Sequence, residues 1–248
     1  MFKLKSKKLI FAIMILLSSF ENINAESAKK EEQSKTYTVY YKDLGKYVIE
    51  LKNGKKAVNG TFYFNTGEKY VGEMKNSMMH GKGIFYLKDK IKLYDGEWKN
   101  NKKDGKGILY FKNGEKYYDG SWKDDKKEGE GLACFLDGGK YFGNWKNNKM
   151  DGMGTFYFTD GSKYIGQWKM GKREGKGALY LSDKTLTYSG EWKNDKKNGI
   201  GTFYYADGAK YIGEWKEDKM HGKGIVYFSN GAKYEGEWKD DKRVLKEK

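Results

Sequence analysis

Few side chains in this sequence are of a kind that does covalent chemistry, and their spacing keeps them apart. The histidines are His80 and His221 and the single cysteine is Cys134. No intrachain disulfide can form, and neither a Cys-based nor a His-rich metal site can be assembled. The two histidines hold the same place in a repeating pattern, six units apart, which separates them by roughly 55–60 Å along a flat sheet. No Gly-x-Ser-x-Gly, P-loop or His-Glu-x-x-His motif occurs. The abundant Gly-x-Gly pairs lack the third glycine and the following helix of a dinucleotide site. The sequence therefore predicts no catalytic residue, no cofactor and no metal.

Aromatic rings and amines, by contrast, recur at fixed spacing. Tyr70, Tyr94, Tyr118, Tyr141, Tyr164, Tyr188, Tyr211 and Tyr234 stand 23 or 24 residues apart. Gly follows each by two residues. Four residues on stands Trp98, Trp122, Trp145, Trp168, Trp192, Trp215 or Trp238, with Met74 in the first unit. The pairs Tyr118/Trp122, Tyr141/Trp145, Tyr164/Trp168, Tyr188/Trp192 and Tyr211/Trp215 suit a groove that stacks sugar rings; equally, they suit the packing of the sheet itself. A lysine follows the Trp position in every unit (Lys75, Lys99, Lys123, Lys146, Lys169, Lys193, Lys216, Lys239). A second row follows in the loops (Lys102, Lys126, Lys149, Lys172, Lys196, Lys219, Lys242). Stacked units would draw each row into a line of charge with steps of roughly 10 Å. Such lines suit an anionic lipid surface or envelope polymer, bound in a salt-sensitive way. They also suit a solvated face whose lysines protect strand edges, partly neutralised by Glu73, Glu97, Glu191, Glu214 and Glu237.

The elements that position these residues follow from their period. Tyr, Gly and Trp alternate on one face, as do Gly154, Phe156 and Phe158, with Thr155 and Tyr157 on the other, which is the period-two mark of strands. Glycine pairs 11 and 13 residues after each of the first seven Tyr open the second strand. Asn113-Gly114, Asp137-Gly138, Asp160-Gly161, Asp207-Gly208 and Asn230-Gly231 close most units, and such dipeptides favour two-residue hairpin turns. Each unit reads as one hairpin, and the expected fold is all-β: a single-layer antiparallel sheet of tandem 23–24-residue hairpins, elongated and twisted. A glycine between Tyr and Trp leaves a gap over which a ring can lie against backbone. The units 70–93 and 164–187 lack the turn glycine and are 24 residues long, which predicts a wider loop.

Composition agrees. The chain has 33 Gly and no Pro in 248 residues, 17% aromatics, 33% charged residues and a net charge of +15. Zero Pro excludes collagen and polyproline segments, and the aromatic content argues against simple disorder. Residues 1–25 carry four lysines before an apolar run from Leu9 to Leu17 and end on Ala25, the layout of a signal peptide and too short for a bilayer span of about 20 residues. Its removal takes away four Lys and Glu21 and lowers the net charge to +12. An uncleaved anchor is the alternative. The expected division is 1–25 signal peptide, 26–46 charged leader with a remnant strand, 47–69 degenerate repeat, 70–243 seven full units and one half unit, and 244–248 tail. The product would be periplasmic, cell-surface or secreted. Charge and aromatics suit nucleic acid, but export argues against it and no nucleic acid is expected.

The pattern Tyr-x-Gly-Glu-Trp-Lys-x5-Gly-x-Gly, clearest in 211–233 and 164–187, resembles the MORN (membrane occupation and recognition nexus) repeat. The resemblance covers 70–243 well and 47–69 weakly. It implies a single-layer sheet of hairpins with an aromatic groove, scaffolding and oligomerisation, and in some members contact with anionic lipid. Enzymes of this family carry a separate catalytic domain, for which the chain has no room. The expected role is an exported, non-enzymatic scaffold for protein partners. The alternatives are anionic lipid or envelope-polymer binding through the lysines, and a carbohydrate- or wall-binding module. The last unit reads as Tyr234–Lys239 without a return strand. That predicts an open edge, Trp238 short of one neighbour, and a weak homodimer through this edge.

Overall fold

The computed structural model describes residues 35–52, 55–88 and 90–245. The expected signal segment, residues 26–34 of the leader and the last residues of the tail lie outside these. Among the described residues nineteen strands succeed one another. They are β1 (Lys35–Tyr41), β2 (Gly45–Lys52), β3 (Lys55–Phe64), β4 (Lys69–Lys75), β5 (Met78–Tyr86), β6 (Lys92–Lys99) and β7 (Lys102–Tyr110). Next come β8 (Lys116–Lys123), β9 (Lys126–Cys134), β10 (Lys140–Lys146), β11 (Lys149–Tyr157), β12 (Lys163–Lys169) and β13 (Lys172–Tyr180). The last are β14 (Leu186–Lys193), β15 (Lys196–Tyr204), β16 (Lys210–Lys216), β17 (Lys219–Tyr227), β18 (Lys233–Lys239) and β19 (Lys242–Val244). All belong to one open antiparallel sheet of successive hairpins, and no helix occurs among the described residues. The chain divides into two compact units, one running to Lys116 and including Trp122–Asp125, the other holding Tyr117–Ser121 and 126 onward.

In the second unit the register repeats without drift. Gly143 faces Gly154, which faces Gly166, which faces Gly177, so the glycines form a row across the strands. The row is needed because each Tyr ring lies flat along it. A Cβ on Gly154 would come within 2.5 Å of Tyr141 Cε2, and one on Gly177 within 2.5 Å of Tyr164 Cε2. The gap predicted between Tyr and Trp exists, and the ring that fills it is the unit's own Tyr. The other glycine of each pair has a different task. Gly175 sits where the register slips between Gly166 and Trp168, with φ +69, a left-handed bulge that favours glycine.

The two kinds of turn are placed the other way round from expectation. Two-residue turns follow the Trp-Lys dipeptide, where both residues have positive φ, as in Asn100 (51) and Asn101 (66) or Asn194 (50) and Asp195 (71). These are the values a tight hairpin of twisted strands requires. At Asn113-Gly114 only the glycine is left-handed (φ +87). There Gly114 N–H donates to Phe111 O (3.0 Å) and Phe111 N–H to Glu115 O (2.8 Å), a three-residue loop closed by a glycine bulge. The loops of units 70–93 and 164–187 are no wider. Lys90 (φ 61) and Lys184 (φ 71) take the left-handed place and make the same two bonds. The additional residue is absorbed in the strand. Tyr86 faces Lys92 while Phe85 faces Tyr94, leaving Leu93 bulged, and Thr187 is bulged in the same way.

The last unit is also corrected. β19 pairs with the end of β18, setting Glu237 against Val244 and Lys239 against Lys242. Trp238 has both its ring neighbours, Tyr211 at 5.5 Å and Tyr234 at 5.9 Å. Of the expected open edge, Glu237–Lys239 is thus paired.

Candidate functional site

The ten aromatics read from the sequence form the core. Tyr118, Tyr141, Tyr164, Tyr188 and Tyr211 are 0% exposed, and Trp122, Trp145, Trp168, Trp192 and Trp215 are 4–6% exposed. Tyr141, Tyr164, Tyr188 and Tyr211 each meet the Trp of their own unit edge-on (Tyr141–Trp145 5.2 Å, Tyr188–Trp192 5.1 Å) and the Trp of the next (Tyr141–Trp168 5.4 Å, Tyr188–Trp215 5.5 Å). Such edge-to-face pairs contribute beyond their buried area. The polar tips are satisfied. Tyr164 Oη donates to Gln167 O (3.1 Å), and Trp192 Nε1 donates to Gly177 O (3.2 Å). Burial pushes the Tyr211 hydroxyl up to about 12 and raises those of Tyr118, Tyr141, Tyr164 and Tyr188. Stacking on a sugar needs an exposed ring face, and the structure places these rings in the sheet's own packing instead.

Sequence reasoning missed a second set of cations. Nine residues after each Tyr stands a basic residue or Met, and Lys103, Lys127, Arg173 and Lys197 lie over the Trp of the following unit. Lys127 Nζ is 4.0 Å from the Trp145 centroid, Lys197 Nζ 4.2 Å from Trp215, and the Arg173 guanidinium 4.3 Å from Trp192. Lys127 is buried, and burial lowers the pKa of Lys197. The signal was the alternation of Lys103, Lys127, Arg173, Lys197 and Arg243 with Met79, Met150 and Met220 at one repeat position, an exchange of cation and thioether that a Trp face accepts.

The lysines read from the sequence are exposed: Lys99, Lys123, Lys146, Lys169, Lys193 and Lys216 in one row, Lys126, Lys149, Lys172, Lys196 and Lys219 in the other. The rows meet across the two-residue turns, where Lys146 faces Lys149, Lys169 faces Lys172, Lys193 faces Lys196 and Lys216 faces Lys219. Some of them make direct ion pairs. Lys123 pairs with Asp104 (3.2 Å), Lys169 with Asp151 (3.6 Å) and Lys196 with Glu217. Glu73 and Glu214 instead accept return-strand N–H groups, from Lys82 (2.8 Å) and Lys223 (3.0 Å).

The face opposite the ladder carries a further feature. In the second unit Leu132 faces Phe142, Phe142 faces Thr155 and Thr155 faces Ile165, a cross-strand line flanked by Met153. Phe142 is 48% exposed, Met153 54%, and Leu132 and Ile165 37% each. No cluster of His, Cys, Asp or Glu able to hold a metal ion occurs among the described residues.

The repeat unit is thus defined by a ring over paired glycines, an indole bonded to the preceding unit, and a lysine-flanked tight turn. The MORN repeat pattern matches nine successive stretches: 50–69, 70–90, 94–116, 118–140, 141–163, 164–185, 188–210, 211–233 and 234–244. The chain belongs to the MORN repeat family. No curated protein is significantly similar to it. The nine repeats include the degenerate one, in which Tyr47 still lies over Gly60, and the last, which β19 completes in part. MORN repeats are generally non-catalytic binding modules.

Proposed function

We propose that this MORN-repeat chain is an exported, non-catalytic scaffold that holds a protein partner on the sheet face opposite the Tyr–Trp ladder. The observation that carries the reading is the exposed line Leu132–Phe142–Ile165 with Met153. Contiguous apolar side chains on a soluble surface mark interaction sites, whereas the ladder face is filled by its own rings. Export rests on the sequence of residues 1–25 and is tested by sequencing the N-terminus of the secreted product. The binding face is tested with a photo-crosslinking side chain at position 142 in cells of the source. A discrete protein adduct that disappears on Ile165→Asp supports the reading. No adduct, or one indifferent to Ile165→Asp, overturns it.

A second reading has its own observation, the exposed lysine pairs Lys146/Lys149, Lys169/Lys172, Lys193/Lys196 and Lys216/Lys219 flanking successive two-residue turns. Such charge favours an anionic lipid or envelope polymer. Co-sedimentation with vesicles rich in phosphatidylserine, absent for neutral vesicles and lost at high salt, would support this reading over the first.

A further inference from the structure

The face opposite the ladder holds a second row in the second unit, two residues back along the strands from the apolar line. There the register sets a lysine of one strand between tyrosines of its neighbours. Lys163 faces Tyr157 on β11 and Tyr180 on β13, and Lys210 faces Tyr204 on β15 and Tyr227 on β17. Lys140 faces Tyr157 from the other side. Amine and phenol thus alternate from strand to strand. Lys140 and Lys163 are two strands apart, a step of roughly 10 Å. The row is interrupted at β14, where the bulge at Thr187 sets Leu186 against Tyr180.

These rings are open, unlike those of the ladder. Tyr157 is 46% exposed and Tyr204 36%. Lys163 Nζ lies 5.2 Å from the Tyr180 centroid and Lys210 Nζ 5.0 Å from that of Tyr227. The contact holds each amine in the row and leaves N–H donors for a ligand. The charge of the row is also uncompensated. The aspartates three residues before these lysines are turned into their own loops: Asp137 accepts Gly139 N–H (3.0 Å), Asp160 accepts Ser162 N–H (2.8 Å) and Asp207 accepts Ala209 N–H (3.0 Å). Among the described residues no carboxylate lies within ion-pair distance of Lys140, Lys163 or Lys210, whereas Lys123, Lys169 and Lys196 at the tight turns are paired. An anion approaching this row displaces no internal partner.

We propose that the row binds a linear polysaccharide in which acidic and neutral sugars alternate, laid across the strands. Its carboxylates would pair with Lys140, Lys163 and Lys210. The apolar faces of the intervening sugar rings would rest on Tyr157 and Tyr204, whose phenols are rigid, present an apolar body and carry a hydroxyl for the sugar's own hydroxyls. A duplex nucleic-acid strand carries a charge about every 3.4 Å, roughly three times as dense as this row, and would leave most phosphates unmatched. A neutral glucan would leave the amines without a counter-charge. The inference uses neither the apolar line of the proposed function nor the turn lysines of the second reading, so each can fail without the others.

The test titrates the full chain with a hyaluronan oligosaccharide, in which glucuronate and a neutral amino sugar alternate, with dextran and inorganic polyphosphate as comparisons. Calorimetry should show saturable binding of hyaluronan and none of dextran. Lys163→Ser with Lys210→Ser should weaken it at least about tenfold, and so should Tyr157→Ser with Tyr204→Ser, which leaves the charge unchanged. Tyr157→Phe keeps the ring and should bind within about twofold of the parent chain, as should Lys169→Ser with Lys193→Ser, which removes the same charge at the tight turns. No saturable binding of hyaluronan overturns the inference. Equal loss from the two lysine pairs also overturns it, since the chain would then respond to overall charge. Indifference to the tyrosine pair, or tighter binding of polyphosphate than of hyaluronan, would show a site for dense polyanions and overturn it as well.

Discussion

Tyr164 stands edge-on to Trp192, 5.3 Å away at 84°, and the same ring meets Trp168 at 5.2 Å and 89°. One tyrosine thus joins the indoles of two successive repeats, and the repeats are coupled through rings rather than through a second layer. Removing a ring in mid-array should cost about 3–5 kcal/mol, the range for burying and then deleting a large aromatic. Trp168→Ala should lower the unfolding free energy by that amount in urea titration, and Trp238→Ala, equally buried at 6% and also between two tyrosines, by a similar amount.

The two indoles differ in one respect. Trp168 Nε1 donates to Gly154 O at 3.3 Å, whereas the buried Trp238 Nε1 has no acceptor. Trp168→Phe should therefore cost about 1–3 kcal/mol more than Trp238→Phe, because only the first leaves a carbonyl without its donor. Equal costs in parallel denaturant titrations would show that the indole bond contributes nothing.

The glycine row makes a sharper contrast. Gly177→Ala puts a methyl into the Tyr164 ring and should destabilise by about 1–3 kcal/mol or more, the cost of overpacking. Gly208→Ala meets nothing within 4 Å and bears only the strain of φ +86, of order 1 kcal/mol. Thermal melts of the two variants would rank them, and an order reversed from this would mean that the Tyr ring moves aside without cost.

Most of this fold was legible because a strand repeat writes its register in the sequence. The Tyr-x-Gly-x-Trp alternation fixed which side chains share a face, and Gly-x-Gly marked the return strand. Three features were not legible. Asn113-Gly114 and Asn100-Asn101 are both turn formers, and only the backbone shows that the tight two-residue turn takes the pair without glycine. The extra residue of the 24-residue units could lie in loop or strand, and Leu93 and Thr187 show that the strand bulges. Burial was the third. A tyrosine that lies along its own strand looks, in sequence, like one standing out to receive a ligand, so the groove and packing readings of Tyr164 and Trp168 could not be separated. Lys127 and Arg173 were overlooked because charge suggested solvent, whereas a cation over an indole is covered on one side and needs little of it.

Alkaline pH should unfold the array cooperatively. Burial holds the hydroxyls of Tyr70, Tyr94, Tyr118, Tyr141, Tyr164 and Tyr188 above the usual tyrosine range and that of Tyr211 at about 12. The unfolded chain releases these protons from about pH 10. The native state therefore binds more protons above that pH, so this stabilisation is complete below about pH 10 and is lost as pH rises through the folded values. The tyrosinate absorbance of these rings should appear together with the loss of β-sheet ellipticity. Ionisation of all seven with the ellipticity intact would mean that the rings are solvated in the native state.

The tight turns hold successive repeats together in a way that one repeat lacks. Asn148 Oδ1 accepts Lys127 N–H (2.8 Å) while its own N–H donates to Lys127 O (3.1 Å); Asp195 does the same with Arg173 and Asp218 with Lys197. In the turn Met170-Gly171 the glycine keeps the backbone bond, its N–H donating to Met150 O at 2.8 Å, but has no side chain to accept Met150 N–H. The site has room, since a Cβ on Gly171 would meet nothing within 4 Å, and φ +89 lies in the left-handed region where Asn and Asp are the most tolerated side chains. Gly171→Asn should supply the missing acceptor and also restrict the unfolded chain. Together these should stabilise the protein by about 0.5–1.5 kcal/mol, against a smaller gain or a loss for Gly171→Ala, which adds the strain without the bond. Urea titration of the two variants decides the matter. If Asn gains nothing over Ala, the side-chain bond does not contribute, and the backbone bonds alone hold each turn to the repeat before it.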